Sequence, residues 1–167
     1  IKIMAIYEIL QVGDEVLRQK CLPVKEINDT VRELLDDMAE TMYKNEGVGL
    51  AAVQVGVLKR VVTIDVGEGL IELVNPEIIE AKGSQEDSEG CLSFPNEFGI
   101  VERPNEVKVK AFDRNGNPVE YTGAGLLARA FCHELDHLDG IVFKDKVKEM
   151  LEPEPPKKRL FVRPKRK

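Results

Sequence analysis

The chain has two histidines, His133 and His137, and they enclose Glu134 in the pattern H-E-x-x-H. On an α-helix, residues four apart share one face, with Cβ atoms about 5–6 Å apart, so both imidazoles can reach one divalent ion. Glu134 lies about 100° further round the helix, where it cannot be a third ligand but can accept a proton from a metal-activated water. The spacing therefore predicts a helix that carries a metal-hydrolase site.

The residues around this motif have the composition of a buried helix. Between about Ala124 and Leu138, apolar residues cover most of the helix circumference, and Gly140 supplies a stop. Imidazole and carboxylate groups inside such a helix are costly unless each is paired or bound to a metal. The polar residues of this helix thus indicate a site independently of the motif.

The rest of the chain predicts one further helix and several strands. Asn28 or Asp29 can cap a helix that continues with helical apolar spacing to about Asn45. Asn115 and Gly116 predict a type I′ hairpin turn. Short β-rich runs occur at residues 61–64, 70–74, 107–112 and 119–122. A helix, a set of strands and a second helix, without βαβ alternation, predict an α+β fold with mainly antiparallel sheets.

Composition narrows the class of protein. No run approaches the roughly 18 apolar residues of a membrane span, and residues 1–8 lack a signal-peptide core. We therefore expect a cytoplasmic protein with neither a membrane nor DNA as partner. The odd cysteine count (Cys21, Cys91 and Cys132) argues against a disulfide framework and favours a thiolate ligand.

The C-terminal residues form a separate electrostatic unit. The net charge is −6, but residues 157–167 carry seven positive charges and no negative ones, leaving −13 on the remainder. We predict a catalytic domain at residues 1–150 and a Pro-rich, then basic, tail at residues 151–167. The tail is either a solvated terminus or a contact for an RNA-rich surface.

A catalytic metal site with two histidines needs a third protein ligand. The metzincin pattern would place a histidine at Phe143, and the glutamates downstream of the motif lie in a proline-rich segment. The ligand must therefore come from upstream. Cys132 points about 100° away from its neighbour His133, and Cys21 has no supporting residues. Cys91, in a predicted loop of small and polar residues, is the remaining candidate.

Residues 47–54 are rich in small residues whose backbone can approach a ligand closely. They fit a dinucleotide-binding fingerprint formally, but a helix precedes them where that fingerprint requires a strand. They also lack the lysine and hydroxyl residues of a phosphate-binding P-loop. A ligand-binding turn and a purely structural turn both remain open for this segment.

Taken in this order, residues 47–54, 89–93 and 133–137 resemble the three motifs of peptide deformylase. The resemblance implies antiparallel sheets that enclose a central buried helix bearing both histidines. It implies removal of the formyl group from the N-terminal formylmethionine of newly made polypeptides, with release of formate. The implied cofactor is one divalent ion, Fe²⁺ in the native enzyme, with Zn²⁺, Ni²⁺ or Co²⁺ as possible replacements.

The resemblance also assigns roles to individual residues. Cys91, His133 and His137 are expected to bind the metal, and Glu134 to act as the general base. The Gln54 side chain and the Leu92 backbone N–H are expected to stabilise the tetrahedral charge. Arg103 is expected to pair with Asp136. Val48, Gly49 and Gly90 are expected to contact the substrate, with Leu92 as a further wall of the methionine pocket.

The sequence departs from the family pattern at two positions. Cys132 stands where many members have glutamine, and Phe98 where some have an arginine that contacts the distal peptide. Some members contact the ribosome through a C-terminal extension, a role that the basic tail fits. The alternatives are a zinc peptidase of H-E-x-x-H type, which cuts internal peptide bonds, and a metal-stabilised, non-catalytic module that binds the ribosome.

Overall fold

The structure, a computed structural model, describes residues 5–152. Nearly all of the predicted tail, residues 153–167, lies outside the described residues. The helices are α1 (Asp29–Lys44) and α2 (Leu126–Leu138), with short 3-10 helices at Glu15–Arg18, Ala52–Val55 and Phe143–Lys146. The strands are β1 (Gly49–Ala51), β2 (Val61–Ile64), β3 (Ile71–Lys82), β4 (Gln85–Cys91), β5 (Phe94–Arg103), β6 (Glu106–Phe112), β7 (Pro118–Ala124) and β8 (Val147–Met150).

The strands form two sheets in the described part of the chain. One has the order β1-β2-β3-β6-β7, and the other has the order β4-β5-β8. Every paired neighbour in both sheets is antiparallel. The prediction of an α+β fold with antiparallel sheets is therefore confirmed. Neither helix within residues 5–152 has the length and apolar character needed to cross a membrane.

Helix α1 begins and ends where its sequence predicts. The Asn28 side chain accepts a hydrogen bond from the Val31 backbone N–H, which caps the first turn, and Asn45 follows the last. The apolar face of the helix packs against β1 and β2. Leu35 and Met38 on this face are completely buried, and burial of a side chain of that size contributes about 1.5–3 kcal/mol.

Helix α2 begins two residues later than predicted, because Ala124 completes β7. It contacts β1, β2, β6 and β7 of the larger sheet and β5 of the smaller one, and most of its side chains are buried. Gly140 follows the helix with φ 74°. A side chain there would collide with the Arg18 carbonyl, so glycine allows the chain to leave the helix beneath the N-terminal segment.

The hairpin between β6 and β7 is not a type I′ turn, so that prediction is wrong. Such a turn needs positive φ at both central residues, and of the pair only Gly116 has one, at 81°. The loop is longer: the Asp113 N–H donates to the Asn117 carbonyl at 2.9 Å. The Asp113 carboxylate also accepts from the N–H groups of Asn115 and Asn117, at 2.8 and 2.9 Å, and these bonds stabilise the wider loop.

Strand β3 continues through Asn75 and Pro76, which the sequence indicates as a boundary. The register shifts between Val74 and Glu77, so the two residues form an irregularity within a longer strand. The Asn75 side chain accepts from the Val24 N–H at 2.8 Å and donates to its carbonyl at 2.9 Å. These two bonds attach the irregular part of the strand to the segment that precedes α1.

Strands β4 and β5 are absent from the sequence prediction. Strand β4 is mostly polar and lacks apolar alternation, yet it pairs with β5 along its whole length. Cys91, predicted to lie in a loop, is instead the last residue of β4 and pairs with Phe94. The prediction failed because pairing of the two strands, rather than burial of one apolar face, stabilises this hairpin.

Candidate metal centre

A tight turn fixes the position of Cys91. Strand β4 ends at this residue, Leu92 and Ser93 form the turn, and β5 begins at Phe94. Glu89 lies two residues before Cys91, and although the strand register shifts between Gly90 and Cys91, both side chains reach the histidines of α2. Both are buried, Glu89 completely. The end of one strand thus presents a thiol and a carboxyl group to the same region.

Helix α2 brings both histidines to this region. The imidazole centroids of His133 and His137 are 5.0 Å apart, and His137 Nε2 lies 3.4 Å from Cys91 Sγ. The ligand atoms of the three residues lie within 4.8 Å of one another, and all three residues are buried. Among residues 5–152 this is the one group of three or more ligating side chains close enough to hold a metal ion. The structure therefore brings together the three ligands that the sequence predicts.

The other two cysteines do not lie in this group. Burial raises the pKa of Cys21 and of Cys132 to about 11 in each case, so both remain neutral thiols near neutral pH. They are free and buried in the same hydrophobic cluster. Cys132 and His133 are neighbours in the chain, but their side chains leave the helix in different directions. The Cys132 sulfur therefore lies away from the ligand set.

The two imidazoles differ in their electrostatic surroundings. Burial and the nearby charge of His133 lower the pKa of His137 well below its usual value. The His137 ring is therefore neutral and can offer a nitrogen lone pair to a metal. Burial also lowers the pKa of His133, but hydrogen bonds to Cys91 and Glu89 outweigh it and raise the pKa well above the usual value. The Glu89 carboxylate, which favours positive charge on His133, would also favour a divalent cation beside it.

Glu89 orients the first histidine, a role that the sequence analysis did not assign. Its Oε1 lies 2.6 Å from His133 Nδ1, which leaves Nε2 of that ring for a metal. Arg103 donates to both carboxylate oxygens, at 2.8 and 3.1 Å, and Arg129 donates to Oε2 at 2.7 Å. Burial raises the pKa of Glu89, but the bonds from His133 and Arg103 outweigh it and hold the pKa well below its usual value.

Two arginines balance this buried carboxylate. Arg103 also donates to Asp136 Oδ2 at 2.7 Å, so it joins α2 to the strand face that carries Glu89. Arg129 also donates to the Val101 carbonyl at 2.9 Å. Removing one member of such a buried network leaves an uncompensated charge, which typically costs about 3–5 kcal/mol.

Sequence spacing contains the signals that could have identified the missed residues. Glu89 precedes Cys91 by two residues, the spacing of side chains on one face of a strand. Arg129 precedes His133 by four residues, the spacing of side chains on one face of a helix. Glu89 therefore lies one strand repeat from Cys91, and Arg129 lies about one helical turn from His133.

The Glu134 carboxylate gives a test of whether these residues fit a metal and its water. The side chain is 1% exposed, and neither oxygen has a hydrogen-bond partner among residues 5–152. A buried carboxylate without a partner is costly, and a metal-bound water beside it would supply the missing hydrogen bond. Burial raises the pKa of Glu134 to about 7, against the opposing charge of His133. The residues present fit a hydrolytic metal site.

Gly49 on β1 provides the space for this carboxylate. A Cβ atom at Gly49 would lie 2.5 Å from Glu134 Oε2 and 2.9 Å from Cδ. Contacts this close do not occur, so either residue would have to move. Of the two glycines in residues 47–54, Gly49 is thus required by the position of Glu134.

The two expected oxyanion donors lie beside the ligands. Gln54 is buried in the 3-10 helix that follows β1, and its Nε2 lies 3.5 Å from Cys91 Sγ. Leu92 is half-buried in the turn immediately after Cys91. The remaining predicted residues lie close by in the chain: Val48 is 7% exposed within the main hydrophobic cluster, and Gly90 is buried in β4 opposite Phe98.

Comparison with known proteins agrees with this geometry. The family model for polypeptide deformylase matches residues 6–152. A peptide deformylase from Caldanaerobacter subterraneus subsp. tengcongensis is 59% identical over 151 residues, which cover 90% of this chain and 95% of the relative.

Two solved structures have the same fold as residues 5–152. The peptide deformylase of Thermotoga maritima matches with a TM-score of 0.84 and 41% identity, over 86% of this chain and 99% of that one. The peptide deformylase of Synechococcus elongatus, in complex with actinonin, matches with a TM-score of 0.83 and 42% identity, over 86% and 79% of the two chains. These likenesses support a deformylase over a zinc peptidase of H-E-x-x-H type. The chain belongs to the polypeptide deformylase family of metal-dependent hydrolases.

Proposed function

We propose that this chain hydrolyses the formyl group from formylmethionyl peptides at the centre formed by Cys91, His133 and His137. The observation that carries the proposal is the buried, unpartnered Glu134 carboxylate beside three ligating side chains. In the reaction, water oxygen adds to the formyl carbon, the C–N bond breaks, and formate and a free amino terminus are released.

The three ligands would hold one divalent ion. A bound ion supplies a Lewis acid, which acidifies a water and polarises the formyl carbonyl. One thiolate and two imidazoles suit Fe²⁺, Zn²⁺, Ni²⁺ and Co²⁺. Among these we take Fe²⁺ as the native ion, because the resemblance to the family implies it, and the others as replacements.

Glu134 carries the proton. With a pKa of about 7, it can accept a proton from the attacking water near neutral pH and return it to the departing amine, because general bases work best with a pKa near the working pH. Its oxygens have no competing partner among the described residues. A non-catalytic binding module would not require a carboxylate in this costly position.

The remaining predicted residues orient the substrate and its developing charge. The Gln54 side-chain N–H and the Leu92 backbone N–H would donate to the tetrahedral oxyanion, and one such donor is typically worth about 10²–10³ in rate. Val48, Gly49 and Gly90 would line the path of the methionine. Arg103 and Asp136 would hold α2 against β5, the strand paired with the one that bears Cys91, through their 2.7 Å contact.

We further infer that α2 is the central helix of the catalytic domain, residues 1–150. Its contacts with β1, β2, β6, β7 and β5 support this role, because they place strands of both sheets against the helix that bears both histidines. This arrangement would exclude bulk water from the ligands.

The first prediction concerns turnover and its base. The purified, metal-loaded chain should deformylate formyl-Met-Ala-Ser and leave both casein and the unformylated peptide intact. Glu134→Ala should retain the metal, because all ligands remain, and should lose at least about 10²-fold in kcat, because the general base is missing. Formate release and bound-metal analysis measure the two effects, with exposed Glu33→Ala as the control. Cleavage of casein, or a Glu134→Ala variant with more than about a tenth of the activity, would refute the assignment.

The second prediction concerns the space beside Glu134. Gly49→Ala should lower kcat by roughly 10–100-fold, because a displacement of about 1 Å at a catalytic group has effects of this size. Introduced into the wild-type chain, Gly49→Ala should lower the midpoint of urea unfolding substantially. Introduced into Glu134→Ala, it should lower that midpoint less, because the added methyl group then has room. Equal losses of stability in both backgrounds would show that Gly49 does not accommodate this carboxylate.

We propose in addition that the protein is cytoplasmic and that its basic tail, residues 151–167, contacts the ribosome. Its support is the seven positive charges between residues 157 and 167, together with the nascent chain as the source of formylated substrate. Phosphate contacts release counterions, so such binding weakens steeply as the salt concentration rises.

The third prediction follows from this charge. A chain that ends at Pro156 should bind ribosomes poorly in a sedimentation assay at low salt, yet deformylate formyl-Met-Ala-Ser with unchanged kcat. A full-length chain in which only the seven cationic residues are replaced by glutamine is the matched control, and it should behave like the truncated chain. Ribosome binding by both altered chains at wild-type strength would eliminate the tail as a contact.

A further inference from the structure

We propose that Ser93 is a positioning residue for deformylation, which orients the Gln54 side-chain amide so that one N–H faces the metal centre. The proposal rests on the deformylase function proposed above. Ser93 follows Leu92 in the turn after β4 and is completely buried. Its Oγ lies 3.0 Å from Gln54 Nε2.

Three contacts fix the orientation of the Gln54 amide. The Ala51 backbone N–H donates to Oε1 at 3.0 Å, and because an N–H can only donate, the oxygen must face β1. The nitrogen then faces the turn after β4. One of its hydrogens is directed at Ser93 Oγ, and Cys91 Sγ is 3.5 Å from the same nitrogen.

The two amide hydrogens therefore have different surroundings. One hydrogen is bonded to Ser93 Oγ, which leaves the other for the side on which Cys91 Sγ lies. Without the hydroxyl group, only the Ala51 N–H and the Cys91 sulfur would hold the amide, whose last torsion is broad and weakly restrained in glutamine. The N–H on the metal side would then lose the fixed direction that an oxyanion donor needs, because such donors act through prior orientation.

The backbones of the two residues are held independently of the hydroxyl. The Leu10 N–H donates to the Gln54 carbonyl and the Val12 N–H donates to the Ser93 carbonyl, each at 2.8 Å. The segment that contains Leu10 and Val12 thus joins both residues at a fixed separation. Removal of the Ser93 hydroxyl should leave this scaffold in place and change mainly the direction of the Gln54 amide.

The experiment is a double-mutant cycle on the metal-loaded full chain, with formyl-Met-Ala-Ser as substrate. Ser93→Ala should lower kcat by roughly 10–100-fold, the range expected for a misplaced catalytic group, while KM changes by less than about threefold. In the Gln54→Ala background, Ser93→Ala should lower kcat by no more than about twofold, because residues that act as one unit are not additive. An equal loss in both backgrounds, or no loss in either, would overturn the proposal.

A readout besides activity is the exchange of the Gln54 side-chain amide protons with solvent, measured by nuclear magnetic resonance. Their signals are identified by their absence from Gln54→Ala. Ser93→Ala should accelerate their exchange at least about tenfold, whereas Thr63→Val, which removes a buried hydroxyl on β2, should not. Unchanged exchange in Ser93→Ala would overturn the proposal.

If Ser93→Ala does not fold, Ser93→Thr and Ser93→Val provide the same test. These side chains have nearly the same shape, but only threonine retains the hydroxyl group. Threonine should keep kcat at least about tenfold above valine, and equal values would overturn the proposal. Absence of turnover in the unaltered chain would refute both the deformylase function and the role of Ser93. Turnover that is the same in the unaltered chain and in Ser93→Ala would refute only the role of Ser93.

Discussion

The hydrogen bond between Glu89 and His133 is the interaction on which the metal centre depends. It joins the strand that ends at Cys91 to the helix that carries both histidines, at 2.6 Å and out of contact with water. A carboxylate in that position would be unstable alone, and the two guanidinium groups that contact it supply the balancing charge. The orientation of the ligands thus follows from a buried, charge-balanced network behind them.

This network also explains why two polar residues of α2 are tolerated inside the protein. Arg129 and His133 lie one helical turn apart and share the same carboxylate, so both are satisfied by β4. Glu134 points in another direction, towards β1, where Gly49 leaves space and no described residue bonds to it. The helix therefore separates the residues that support the ion from the residue that transfers the proton.

Much of this arrangement could be predicted from sequence, because helical spacing alone places His133 and His137 together and elimination leaves Cys91. The strand that carries Cys91 could not, since its polar residues show no apolar alternation and its stability comes from pairing with β5. The Asn115-Gly116 turn was misassigned because a side-chain carboxylate stabilises a wider loop. Contacts between distant segments, such as Gly49 with Glu134, have no local signature in sequence.

X-ray absorption at the zinc edge of the zinc-loaded chain identifies the atoms bound to the metal. We expect one sulfur neighbour at about 2.3 Å and two imidazole nitrogens at about 2.0–2.1 Å. In Cys91→Ser the sulfur neighbour should disappear, whereas in Cys132→Ser, a matched variant on α2, it should remain. A wild-type spectrum without sulfur, or a sulfur neighbour that persists in Cys91→Ser, would contradict the assignment of Cys91, His133 and His137 as the metal ligands.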